Sequence, residues 1–193
     1  MDIDESIVRL GQKLDAWWEG LMPLLGSQDR MAQGKTLLSG FKIAKEFDRL
    51  KADGLAAITT LVDCHDPVVD DERAASLIRG FEFGARLADT LHDEFRDIAD
   101  GETKVVRIVD EIVKTLDKIG SGRAALAALL DHGDRGVRAL AGAYLIDLLP
   151  ERVGPVLRQV EDEARGRSAG FRAHWALLAW KREGKSRFNH LSK

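Results

Sequence analysis

The chain has 193 residues, of which 45% are hydrophobic and 32% charged, with a single cysteine and a net charge of −3. That length and balance describe one globular domain or two small ones. They exclude a disordered polyelectrolyte, a disulfide scaffold and a strongly basic nucleic-acid binder. The charge is unevenly spread: residues 1–100 hold 20 acidic against 12 basic residues, a net −8, and residues 101–193 hold 12 against 17, a net +5.

The start, MDIDESIV, lacks the basic opening and apolar core of a signal peptide. No apolar run approaches the roughly 20 residues needed to span a bilayer. With Cys64 alone and no CxxC pair, a reducing cytoplasm is the expected location. Asp4 to Leu25 reads as a helix with Ile7, Leu10, Leu14, Trp17, Trp18, Leu21 and Leu25 on one stripe. Gln28 to Lys51 reads as a second helix, weakened by Gly34 and Gly40. Gln33-Gly34-Lys35-Thr36 is close to the end of a phosphate-binding loop. Asp29 stands where that loop needs its first glycine, and no strand precedes it, so nucleotide binding is not expected.

Residues 56–78 repeat at 124–146 with a constant offset of 68 and nine identities, among them Asp63, Asp66, Val69, Ala75, Leu77 and Ile78. The corners agree as well, Asp-Cys-His-Asp-Pro against Asp-His-Gly-Asp-Arg. Two tandem helical hairpins are therefore expected, stacked because one alone cannot cover its apolar face. A helix after Pro67 is expected to run toward Ala99, with Leu77, Phe81, Ala85, Ala88, Leu91, Phe95 and Ile98 inward and Gly101 as its end. Glu82, Asp89, Asp93, Asp97 and Asp100 fall on another face, about 150° away, and Asp70, Asp71 and Glu72 add charge near its start. These eight residues form a candidate docking surface for a basic partner, able to steer its approach. A solvated helix face is the plain alternative.

Glu102 to Ile119 follows as a helix with Val105, Ile108, Val109, Ile112, Val113 and Leu116 inward. In Arg123 to Pro150, two helical runs meet at a corner. Gly133 is expected to end the first in the left-handed conformation, Asp134 to cap the second and Pro150 to close it. Glu151 to Arg165 and Ser168 to Glu183 complete the series, the last with Phe171, Trp175, Leu178 and Ala179 as its core face and His174 packed among them; Gly184 ends it.

Catalytic, cofactor-binding and metal-binding residues are not expected. There is no HExxH and no other histidine pair at ligand spacing. His132 between Asp131 and Asp134 is read as a corner residue bonded to backbone. Cys64-His65 are neighbours at a helix end and do not face each other as a nucleophile and base must.

At Leu129-Leu130-Asp131-His132, Asp134 and Val137-Arg138 the chain resembles a HEAT-type repeat. Residues from about 102 to 184 resemble a bacterial family of short HEAT-like helical domains. The motifs are Asp110-Glu111, Gly122-Arg123, Leu130-Asp131-His132, Val137-Arg138, Leu149-Pro150-Glu151, Val156-Leu157, and Leu178, Trp180 and Gly184. Gly133 stands where the pattern usually has proline. The resemblance implies an all-α fold, an α-α superhelix of about 8–9 helices. It divides into an acidic half, 1–100, and a basic half, 101–193, in one continuous domain. By analogy with small bacterial helical-repeat proteins it implies a toxin-neutralising, immunity-type role through protein binding. An adaptor, homodimeric through Trp17-Trp18, is the next reading. Some HEAT-like proteins are DNA-repair glycosylases with a basic groove. Arg123, Arg135, Arg138, Arg165, Arg167, Arg172, Lys181, Arg182 and Trp175 could line part of one, but the acidic first half opposes it.

Overall fold

A computed structural model describes residues 70–94 and 99–185, together with 52–57, 59, 60 and isolated positions at 9, 12, 13, 16, 45 and 49. The chain divides into two compact units, Met1–Leu61 and Val62–Lys193. In the first, residues 52–57 are helical, and the hydroxyls of Thr59 and Thr60 donate to the carbonyls of Leu55 and Ala56, each at 2.8 Å. Trp17-Trp18, the 33–36 segment and Cys64-His65 lie outside the described residues.

The second unit is all-α among the described residues: α1 (Asp70–Glu94), α2 (Ala99–Asp117), α3 (Gly122–Ala128), a single 3-10 turn (Leu129–Asp131), α4 (Arg135–Leu145), α5 (Pro150–Glu163) and α6 (Ser168–Glu183). α1 packs along α2 as a hairpin, α4, α5 and α6 pack on one another, and α1 joins the two groups through α3, α4 and α6. The acidic and basic halves of the sequence meet within this unit, where α1 and α2, on either side of residue 100, pack closely on each other. No helix of the described residues is long and apolar enough to cross a membrane.

The three-and-four spacing works as expected in the hairpins. Leu77, Phe81, Ala85 and Ala88 of α1 meet Val105, Val109, Ile112, Val113 and Leu116 of α2, all fully buried. α4 is buried almost all round, from Gly136 to Ile146, because α1, α3, α5 and α6 surround it. Its Tyr144 ring stands edge-on to Phe81 at 6.1 Å and 67°, and its hydroxyl donates to Asp110 of α2. Burial first, then that bond to a carboxylate, raises the Tyr144 phenol above its ordinary value.

Three helix ends differ from expectation. α2 is already under way at Ala99, so Gly101 lies in its first turn and does not end α1. Gly133 is not left-handed; the 3-10 turn tightens the end of α3, and His132 leaves it extended, at φ −65° and ψ 146°. α4 stops at Leu145, and Pro150 opens α5, where its missing N–H costs nothing. Gly184 does end α6 in the left-handed region, at φ 65°. The described part of the sequence repeat is partial: Ala75 is exposed, whereas its counterpart Ala143 is fully buried at the centre of the unit.

Candidate functional site

The corner between α3 and α4 is built from its own polar residues. Asp134 caps α4, its carboxylate accepting from the Val137 N–H at 3.0 Å. The Asp134 N–H donates to His132 Nδ1 at 3.0 Å, as expected of a corner histidine, and leaves Nε2 3.9 Å from Glu82 of α1. Arg138 donates to the carbonyls of His132 and Gly133 and pairs with Glu163 of α5 at 2.6 Å. Every member therefore has a structural partner. Replacing Asp134 with Ala is expected to lower stability by about 1 kcal/mol, read by denaturant unfolding, because one first-turn N–H loses its acceptor.

Beneath this corner lies Asp89. Its side chain is 18% exposed and pairs with Arg172 of α6, itself 10% exposed. An added Cβ at Gly136 would lie 2.0 Å from Asp89 Oδ2, so the carboxylate occupies the space that a side chain on the first turn of α4 would fill. Burial pushes the Asp89 carboxyl above its ordinary value, while Arg172 and the Ser168 hydroxyl pull it back down.

Asp89 thus leaves the acidic surface that the helix period assigned to it. α6, far along the chain, covers that edge of α1 and brings Arg172 with it. Of the other seven carboxylates, Asp71 and Glu72 are exposed, and Glu82 is half-buried beside His132. Asp97 and the side chains of Asp70, Asp93 and Asp100 lie outside the described residues. The structure therefore brings Glu82 and Asp89 to the corner and leaves Asp71 and Glu72 at the start of α1. Among the described residues no group of His, Cys, Asp and Glu is arranged to hold a metal ion.

α6 corrects the sequence reading most. Its buried face is Ser168, Ala169, Gly170, Ala173, Ala176, Leu177 and Ala179. The aromatic stripe expected inside is outside: Phe171 is 60% exposed and Trp175 42%. His174 is exposed with them, bonded to Glu161 of α5 at 2.8 Å. The reason is close approach. A Cβ at Gly170 would stand 2.2 Å from the Ala164 carbonyl oxygen, so the start of α6 lies against the end of α5 with no room for a side chain there. The larger residues take the solvent side.

On that side Phe171 and Trp175 pack edge to face, ring centres 5.7 Å apart at 67°, and Leu178 continues their line at helical spacing. Lys181 and Arg182 follow within a turn, both exposed. The one acidic residue of α6, Glu183, lies roughly 110° round the helix from the stripe. The neighbouring acids of α5 are already engaged: Glu161 with His174, Asp162 with Arg165 at 2.8 Å, and Glu163 with Arg138. Among the described residues Lys181 and Arg182 have no ion-pair partner. The outer face of α6 is thus an apolar, aromatic ridge with a positive end.

A short apolar rhythm cannot distinguish this ridge from a core face; the signal that could is the opposite face, where alanine and glycine recur at the same spacing. No family model matches the chain, and neither a curated protein nor a solved structure matches it.

Proposed function

We propose that the chain is a non-catalytic protein-binding module whose docking surface is the outer face of α6. The observation that supports this most is the exposure of Phe171 and Trp175, since large aromatics supply much of the binding energy of protein interfaces. They are spared from the core, which the small residues of α6 already fill. The polar cluster at the corner is consumed in caps and ion pairs, which supports a structural role for it. In this reading the fold is an α-α superhelix of tandem HEAT-like hairpins, acting in the cytoplasm.

The test is the double substitution Phe171→Ser and Trp175→Ser. Captured partner is expected to fall at least about tenfold in a pull-down from the cells that make the protein, with the helical circular dichroism unchanged. Equal recovery by both forms overturns the reading.

A second reading, through a different surface, is an immunity-type inhibitor that neutralises a basic toxin domain by stoichiometric binding through its acidic residues. Exposed Asp71 and Glu72 at the start of α1 favour it. Reversing both to Lys is then expected to slow association with that partner about tenfold at low salt, read by stopped-flow mixing. An unchanged rate removes this second reading.

A further inference from the structure

We infer that the outer face of α6 receives an acidic amphipathic helix from a partner protein, laid along the Phe171–Trp175–Leu178 ridge with its carboxylates toward Lys181 and Arg182. The inference rests on the docking role proposed above and names the chemistry of what docks.

Three features carry it. The ridge runs from Phe171 to Leu178 and reaches Arg182, twelve residues and about 16 Å of helix. That length matches three turns of an opposing helix presenting apolar anchors at three-and-four spacing. At the end of the ridge Arg182 continues its line, with Lys181 on one flank and Glu183 about as far round on the other. The carboxylates of Glu161, Asp162 and Glu163 are engaged within the protein, whereas Lys181 and Arg182 have no ion-pair partner among the described residues. An incoming carboxylate in line with the ridge therefore meets Arg182 before any acidic residue of α6. The aromatic rings lie edge to face with each other, an arrangement that offers a ridge for leucine or isoleucine to straddle.

The test is a selection of helical peptides from a randomised display library on the immobilised full chain, each winner then being assayed on the folded Phe171→Ser, Trp175→Ser variant. The expected winners carry net negative charge and apolar residues at three-and-four spacing. A synthetic copy of one is expected to bind at least about tenfold more weakly to the Lys181→Glu, Arg182→Glu variant, and to weaken as salt is raised. Winners that still need Phe171 and Trp175 but are neutral or basic overturn the acidic chemistry and leave the docking surface standing. Winners indifferent to Phe171 and Trp175 overturn both. Displacement of the peptide by a single-stranded oligonucleotide reassigns the face to nucleic acid. A wild-type dimer that is absent from the serine variant reassigns it to a second copy of the chain. Either result overturns the inference.

Discussion

Replacing Arg172 with Ala is expected to lower the unfolding free energy by about 3–5 kcal/mol at neutral pH, because it strands a buried carboxylate. Asp89 and Arg172 are 18% and 10% exposed, so water screens neither well. The pair also ties α1 to α6 across the first turn of α4, where the absence of a side chain at Gly136 makes room for the Asp89 carboxylate. The same change should show a definite pH dependence. Asp89 is held above the ordinary carboxyl value by burial, and Arg172 is the main influence lowering it. A carboxyl raised in the folded state favours folding when protonated. That contribution is complete below the unfolded value, about 4, and is lost as pH rises through the folded value. With Arg172 gone the folded value rises further. The penalty of Arg172→Ala is therefore expected to shrink as pH falls from 7 toward the carboxylate range. Adding Asp89→Asn should restore more than half of the loss at pH 7 and abolish the pH dependence of the difference. A pH-independent penalty in urea unfolding would contradict the buried pair.

The second large effect concerns the orientation of α6. Ala173→Phe is expected to cost about 3 kcal/mol, since Ala173 is fully buried in the tightly packed face of the helix. Trp175→Ala, which removes a much larger side chain two residues on, is expected to cost no more than about 1 kcal/mol. That order is the reverse of what a conventional aromatic core face requires. Thermal unfolding of the two variants decides it: a greater loss in Trp175→Ala would place the tryptophan in the core.

These two cases mark where the sequence can and cannot be read. The α3–α4 corner was legible, because Asp134 is a local cap and the spacing of Val137, Leu140, Ala141 and Tyr144 describes a buried face on its own. The all-α class followed from the same spacing. The fate of Asp89 was not legible. Its helix period places it with Glu82 on the acidic side, and only a residue 83 positions later, Arg172, turns it into an interior group. The face of α6 was misread for a related reason. Phe171, Trp175 and Leu178 keep the rhythm of a core stripe, and so do Gly170, Ala173 and Ala176 on the other side. Hydrophobicity chooses the first set, whereas the structure buries the second, with Gly170 set against the end of α5. Helix ends failed where one residue suits two roles, as Pro150 suits both the stop of one helix and the first turn of the next.

The exposed ridge on α6 is the claim on which the functional reading turns. Its most direct test is to place a photo-cross-linking benzoylphenylalanine at position 171 in the producing cells, with the same group at Arg158 on the exposed side of α5 as the control. The expected result is one dominant adduct with another protein from position 171 and none of it from position 158. An adduct from position 158 alone, or the same adducts from both, would contradict α6 as the docking face.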